Sequence, residues 1–219
     1  MPDLSNPVTW AVAIAAALCV GMAKTGFGGL GIVSVLLFAQ LFPAKASTGA
    51  LLPLMIFGDV MGVAIYRRHA SWPELGRLLP ATFAGIVCGW WVMPRIPDGD
   101  FGGFLGWFIL GLMTLTVLQR RFPRVLLTAS DHPLLGLFAG WSTGAATMLA
   151  NAAGAITAFY FLARRMDKLT FVGTAAWFFF VVNLLKVPFS VQLGLMTAAS
   201  LKFDLILLPA VALGGAAGR

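Results

Sequence analysis

The sequence predicts an all-α polytopic membrane protein that forms a single transmembrane domain over residues 1–219. Hydrophobic residues make up 59% of the chain and charged residues only 11%, with a mean hydropathy of +0.90. Soluble domains are about 45–50% apolar, so this composition excludes an ordinary soluble domain. The apolar residues fall in long runs. Two glycine-rich interruptions of these runs, at matching places in the two halves, indicate an internal repeat.

The apolar runs predict about eight membrane segments, several of which are too short to cross the bilayer alone, since a spanning helix needs about 20 residues. In chain order the runs cover residues 8–22, 30–42, 46–66, 76–94, 101–119, 133–149, 152–163, 168–188 and 203–219. Segments 30–42 and 152–163 each follow a glycine-rich interruption, which favours half-helices or hairpins near the midplane. Irregular backbone persists at that depth only where protein or a polar cavity surrounds it.

Matching sequence in the two halves predicts a duplication. The sequence LLPA at residues 78–81 recurs at residues 207–210, followed in both places by glycines four residues apart. Glycines at this spacing allow close helix packing in membranes. Upstream of these segments, Asp59 in the first half matches Asn183 in the second.

We assign the first repeat to about residues 8–119 and the second to about residues 132–219. The first range includes a linking helix at 101–119. This extra crossing gives the second repeat the opposite orientation in the membrane. The two repeats are therefore predicted to be inverted, as in many secondary transporters. The second repeat is predicted to lack a final helix after Arg219.

Basic residues concentrate in short loops and predict the orientation. The chain has a net charge of +7, and its arginines cluster in the loops at 67–77, 120–131 and 164–168. Lys and Arg in short loops normally mark the cytoplasmic side, so we place these loops in the cytoplasm and the chain in the bacterial inner membrane. The surrounding bilayer's anionic lipid accounts for the basic loops, and no nucleic-acid partner is predicted.

The first interruption places a lysine beside a glycine-rich loop. Lys24 precedes Thr25, Gly26, Gly28 and Gly29 within an apolar stretch. A lysine at the membrane centre costs about 2.5–3.5 kcal/mol on insertion scales, so its presence there favours a function. Snorkelling of the side chain to the interface is the alternative. With the Thr25 hydroxyl and the backbone N–H groups of the glycines, Lys24 would suit a small oxyanion.

The second half supplies further polar residues inside apolar segments. Asn151 and Gly154 lie where the helix is predicted to open, and Asn151 could cap the half-helix that follows. Asn183 and Lys186 are one turn apart and share a helix face. This pair is predicted either to bind an anion or to hold helices together.

Asp59 and Thr174 are predicted as coupling or structural polar residues. Asp59 lies in an apolar helix, where a carboxylate needs a partner. It could accept a coupling proton, or pair with Lys24 or Lys186.

No cofactor, metal site or enzyme activity is predicted. Residues 26–31 satisfy the G-x-G-x-x-G pattern, but a nucleotide site also needs a preceding strand and a βαβ unit. His69 and His132 lie in predicted loops without a second ligand at metal spacing, and Cys19 and Cys88 lie in apolar segments. No nucleophile and base fall within one membrane layer.

Several segments of the chain resemble the TauE/SafE family of membrane proteins, also called the sulfite-exporter or toluene-sulfonate-uptake permease family. They are GMAKTGFGGLG at 21–31, LPL at 52–54, GD at 58–59, YRRH at 66–69, NAAG at 151–154, GTAAWFF at 173–179 and NLLKVPF at 183–189. The resemblance covers nearly the whole chain. It implies a permease for small sulfur-containing anions such as sulfite, sulfonates or sulfoacetate, coupled to an ion gradient.

The leading functional hypothesis is therefore a secondary transporter whose central anion site is built by both interruptions. Lys24, Thr25 and the backbone of residues 26–29 would approach the anion from one repeat, and Asn151, Asn183 and Lys186 from the other. A coupling proton or cation is a further predicted partner, and no oligomeric state is predicted. The alternatives are an anion channel and a non-transporting scaffold or assembly subunit.

Overall fold

The computed structural model describes residues 3–27, 29–121 and 134–219, and within these ranges it contains helices and no strand. The helices are α1 (Pro7–Thr25), α2 (Leu30–Leu41), α3 (Ala44–Ala50), α4 (Leu52–Tyr66), α5 (Trp72–Val92), α6 (Asp98–Arg121), α7 (Leu134–Ala150), α8 (Gly154–Ala163), α9 (Lys168–Gln192) and α10 (Ala198–Ala217). Short 3-10 turns at Arg67–His69 and Met93–Arg95 extend two of them. The predicted all-α fold is confirmed. Gly28 and most of the predicted loop 120–131 lie outside the described residues.

Six helical stretches of the described chain are long and apolar enough to cross a membrane. They are Pro7–Thr25, Ala44–His69, Trp72–Arg95, Asp98–Leu118, Lys168–Gln192 and Ala198–Ala217. Large apolar side chains lie on the outer surface of the bundle, among them Trp107 and Phe138, which are 78% and 70% exposed. A bilayer would cover this surface, and the helices form an integral membrane protein.

The predicted segment 46–66 is in fact two helices, α3 and α4, which meet at Leu51. Pro53 explains the break, because proline has no backbone N–H to donate to the Gly49 carbonyl one turn earlier. The two helices continue in about the same direction, because Leu51 between them keeps helical backbone angles.

The short helices that follow the two glycine-rich interruptions, α2 and α8, have the length of half-helices, as the sequence predicts. At 12 and 10 residues, α2 and α8 are roughly 18 and 15 Å long, about half the thickness of the bilayer core. The α7–α8 connection reverses the chain at Asn151, whose φ of 51° is in the left-handed region. Asparagine is among the few non-glycine residues that adopt this conformation readily.

Close helix contacts pair the first helix with the last, and helices of the first half with helices of the second. Helix α10 packs along α1, α7 packs along α5, and α4 packs along α9. Glycines permit the approach, since a Cβ added to Gly21 would lie 2.1 Å from the Val211 carbonyl oxygen, and one added to Gly85 would lie 2.0 Å from that of Trp141. Small residues at such contacts are typical of membrane helices.

The bundle has two chemically different ends. We call one the arginine-rich end, where α4 meets α5 and α8 meets α9; it carries Arg67, Arg68, Arg77, Arg164 and Arg165. The opposite, arginine-poor end holds the connections at 42–43, 93–97 and 193–197. Helices α4 and α9 run in opposite directions between these ends.

Candidate functional site

Polar side chains form two bonded groups through the otherwise apolar bundle, and Asn183 and Lys186, one turn apart on α9, place the groups next to each other. We call the two groups together the polar column. From the arginine-rich towards the arginine-poor end, its members are Lys24, Asp59, Asn183, Lys186, Thr147, Asn151, Thr48, Lys45 and Asp98.

An ion pair occupies the first part of the column. Lys24 Nζ on α1 lies 2.8 Å from Asp59 Oδ1 on α4, and the Asp59 residue is only 1% exposed. Asn183 on α9 donates its amide to the second carboxylate oxygen of Asp59 at 2.6 Å. Gly58 gives the lysine room, since a Cβ there would lie 3.0 Å from Lys24 Cγ. The Lys24 ammonium also lies 4.8 Å from the centre of the Phe179 ring.

The second part of the column holds a lysine with only neutral partners. Lys186 is 1% exposed and donates to Thr147 Oγ1 at 3.2 Å and to the side-chain oxygen of Asn151. In the described part of the chain, no carboxylate lies within ion-pair distance of its ammonium group. Thr147 and Asn151 are four residues apart near the end of α7, so both side chains face α9.

Hydrogen bonds continue from Asn151 to the arginine-poor end. Asn151 Nδ2 donates to the Thr48 carbonyl oxygen at 2.7 Å, and Thr48 Oγ1 donates to that of Lys45 at 2.8 Å. The ammonium of Lys45 lies 2.5 Å from Asp98 Oδ1 and donates to the Ile96 carbonyl oxygen at 2.7 Å. Lys45 and Asp98 line a cavity of about 480 Å³ between α3, α6 and the α9–α10 connection. The column therefore opens into a space at this end.

The buried charges of the column do not cancel. Its interior holds two lysines, Lys24 and Lys186, against one aspartate, Asp59. An unpaired charge in a protein interior costs several kcal/mol, and an opposite charge with good hydrogen bonds offsets that cost. An anion beside Lys186 would supply the missing charge.

Some of the predicted site residues lie away from the column. Gly26 and Gly29 are exposed at the arginine-rich end, and a Cβ on Gly26 would lie 2.1 Å from the Gly218 carbonyl oxygen. Close packing against the end of α10 therefore accounts for Gly26. Thr25 is buried at the same end, where its hydroxyl donates to the Gly21 carbonyl of its own helix at 3.1 Å.

Two further predicted residues also have other surroundings. Gly154 is exposed at the start of α8, and no atom comes within 4 Å of an added Cβ. Thr174 Oγ1 accepts a hydrogen bond from the Ser71 backbone N–H at 2.9 Å, which fixes the chain before α5. The structure thus brings Lys24, Asp59, Asn183, Lys186 and Asn151 together, and leaves the glycines and both threonines outside the group.

A second charged group, at the arginine-rich end, was not predicted from the sequence. Glu74 on α5 accepts a hydrogen bond from the Tyr160 hydroxyl of α8 at 2.5 Å. Arg164 and Arg77 lie 3.1 and 2.6 Å from its other oxygen. The predicted segment 76–94 begins two residues after Glu74, so the apolar pattern does not predict that this carboxylate lies inside the bundle. The network joins α5 to the end of α8.

A comparison with known protein families identifies the family of this chain. The family model described as Sulfite exporter TauE/SafE matches residues 13–219, nearly the whole chain. The chain belongs to this family. The resemblance predicted from the sequence motifs is thereby confirmed, and membership in TauE/SafE makes the chain an integral membrane protein of a transporter family for anions. No curated protein and no solved structure matches the chain significantly.

Proposed function

We propose that this chain is a secondary transporter that carries a small sulfur-containing anion, such as sulfite, a sulfonate or sulfoacetate, along the polar column. The observation that carries the proposal is Lys186, a fully buried lysine with only neutral hydrogen-bond partners. Family membership supports an anion as the substrate. A buried ammonium group that has no counter-ion is suited to bind an anion.

Anion recognition follows from the groups around Lys186. Its ammonium group would donate a charge-assisted hydrogen bond to a sulfur-bound oxygen, which is about twice as strong as a neutral one. The Thr147 hydroxyl accepts from Lys186 in the structure and can rotate to donate to a second oxygen. Asn151 would release Lys186 and offer its amide, since among the described residues that amide donates only to the Thr48 carbonyl.

Lys24 has a different role in this proposal. Its charge is already neutralised by Asp59, so it adds little attraction for an anion. The Lys24–Asp59 pair and Asn183 join α1, α4 and α9 one turn from Lys186. They would set the position of α9 and hence of its lysine.

The column gives the anion a route between the two ends. The cavity at Lys45 would admit it from the arginine-poor end, and rocking of the two inverted repeats would open the other side. Because the loops at the arginine-rich end have an excess of arginine, they would face the cytoplasm of a bacterial cell.

Transport by reconstituted protein tests this proposal. The purified chain is placed in liposomes, and flux of labelled sulfite, a sulfonate and sulfoacetate is measured for the wild type, K186Q and K168Q. Lys168 is the matched control, because it is an exposed lysine on the same helix. Loss of a hydrogen bond from a charged donor costs about 1.5–3 kcal/mol, so K186Q should reduce flux about 10- to 100-fold. The proposal is wrong if K186Q transports like K168Q.

A scaffold function is distinguished in the same experiment. The Lys24–Asp59–Asn183 group would serve equally well to hold helices together, which is what a non-transporting subunit needs. Such a subunit would show no saturable flux of any of these anions in wild-type liposomes. A channel would conduct the anion without counterflow, so preloading the liposomes with unlabelled anion would not accelerate uptake.

A further inference from the structure

Asp204 is a buried carboxylate that the transport mechanism above does not use. It is 2% exposed and lies on the buried face of α10, together with Ser200, Leu207 and Val211. Both of its carboxylate oxygens are buried, and neither has a hydrogen-bond partner among the described residues.

The other buried acids of the described chain are paired, which sets Asp204 apart. Asp59 has Lys24 and Asn183, and Glu74 has Tyr160 and two arginines. An ionised carboxylate buried without a partner costs several kcal/mol, and such a group neutralises by binding a proton instead. The surroundings of Asp204 therefore favour its protonated form.

The neighbouring elements offer Asp204 no counter-charge. Helix α10 packs against α1, α3 and α4, and its Phe203 ring contacts Phe42 after α2. The ionisable side chains of these elements are Cys19 and Lys24 on α1, Lys45 on α3, Asp59 and Tyr66 on α4, and Lys202 on α10, with none on α2. Lys24 is paired with Asp59 and Lys45 with Asp98, while Lys202 is exposed. Among the described residues, no cation lies within ion-pair distance of Asp204.

The location of Asp204 suits exchange of a proton with water. It is six residues after Ala198, where α10 begins, which places it about 9 Å along the helix from the arginine-poor end. A modest opening of this end would bring water to the carboxyl group. With this end open, the carboxylate would take a proton from hydronium, leaving water, and closing would bury the neutral acid. When rocking of the repeats opens the other end, the acid would give this proton to water there as hydronium.

Helix α10 is also mechanically joined to the helix that carries Lys24. A Cβ on Gly214 would lie 2.2 Å from the Leu18 carbonyl oxygen of α1, so the two backbones are in direct contact. A movement of α10 that exposes Asp204 would therefore move α1 and the Lys24–Asp59 pair. The two sites belong to one packed unit.

We propose that Asp204 binds the proton that couples anion movement to a proton gradient. The proposal rests on the transport function proposed above, and it assigns proton binding to α10 in place of Asp59. Asp59 keeps its ion pair with Lys24, whereas Asp204 gains its proton with the arginine-poor end open and loses it with the opposite end open.

Transport with and without a pH gradient tests the assignment. D204N mimics the protonated side chain, so it should retain exchange of labelled for unlabelled sulfite and lose accumulation of sulfite driven by a pH gradient. D100N is the control, because Asp100 is exposed at the start of α6, and should behave like the wild type. D204E restores a carboxyl group and should recover gradient-driven accumulation. If D204N accumulates sulfite like the wild type, Asp204 is not the coupling residue.

Infrared spectroscopy tests the same assignment without transport. The wild-type protein at neutral pH should show the carbonyl stretch of a buried carboxylic acid, and D204N should lack this band. An identical band in both proteins overturns the proposal. Since this measurement needs no anion flux, it separates a failure of the Asp204 assignment from a failure of the proposed transport function.

Discussion

The two lysines inside the polar column, Lys24 and Lys186, have opposite surroundings. Lys24 has a carboxylate partner, Asp59, at 2.8 Å, whereas Lys186 has only a hydroxyl and an amide oxygen. They also come from different helices, α1 and α9. The offset in residue number from Asp59 to Asn183 is the same as that from Gly62 to Lys186. At matching positions, α4 therefore has a glycine and α9 has its lysine.

Under the proposed function, this difference separates a structural lysine, Lys24, from an anion-binding lysine, Lys186. Gly58 and Gly62 let the Lys24 side chain and backbone approach α4, since a Cβ on Gly62 would lie 2.8 Å from the Lys24 carbonyl oxygen. In the second half, Thr147 and Asn151 provide oxygen atoms that Lys186 can exchange for those of a ligand. Helices that are matched in sequence therefore surround one column with unequal chemistry.

The largest effect on stability is expected at Lys24. K24M would leave Asp59 buried without its cation, and breaking a buried pair costs about 3–5 kcal/mol. The free energy of unfolding in detergent, from denaturant titration, measures this loss. The double variant K24M/D59N removes both charges and should recover most of it. If K24M is as stable as the wild type, the ion pair is not what holds α1 to α4.

Lys186 should respond in the opposite way. K186M removes a buried charge that has no buried counter-charge beside it, and replacing such a group with an apolar one is often neutral or stabilising. We expect the free energy of unfolding to stay the same or rise, while anion flux is lost. A destabilisation as large as that of K24M would show that Lys186 is structural, and the contrast between the two lysines would disappear.

A smaller effect is expected for the network at the arginine-rich end. E74Q removes the charge that Arg164, Arg77 and the Tyr160 hydroxyl share, and should lower the free energy of unfolding by about 1–3 kcal/mol. R77Q is the matched control. Its side chain is 58% exposed, and exposed ion pairs contribute only about 0–1 kcal/mol. Equal losses in both variants would mean that burial of Glu74 does not strengthen the network.

The smallest effect is expected at Lys45, outside the buried part of the column. K45Q leaves the Asp98 carboxylate unpaired at the cavity of the arginine-poor end, where it repels anions, and should slow anion uptake from that side only. The effect is expected to shrink as salt is added, because exposed charges are screened within about 10 Å at 0.1 M ionic strength. Flux in liposomes of known protein orientation checks both points. An equal reduction from both sides would place Lys45 in the transport step itself.

Most of the fold followed from the sequence because apolar runs and helix breakers act locally. The breaks after Lys24 and at Asn151 were predicted, as were the half-helices that follow them. The break at Leu51 was not predicted, although Pro53 is a visible signal for it. Its apolar surroundings made residues 46–66 look like one uninterrupted span.

The site was predictable in part, for a different physical reason. Lys24, Asp59, Asn183 and Lys186 stand out because polar groups inside a membrane need partners. Which partner each group binds depends on tertiary packing. The sequence alone therefore does not decide whether Asp59 pairs with Lys24 or with Lys186. Asp204 and Glu74 lie near the ends of apolar segments, where a charge resembles an interfacial residue. Only the packed bundle shows that both are buried.

We propose that Lys186, rather than Lys24, provides the charge that binds the anion. Titration calorimetry of sulfite into the purified protein in detergent tests it most directly. We expect saturable binding to the wild type and to K168Q, weaker binding by about 10- to 100-fold to K186Q, and near-normal binding to the charge-balanced double variant K24M/D59N. Normal binding to K186Q together with lost binding to K24M/D59N would contradict it.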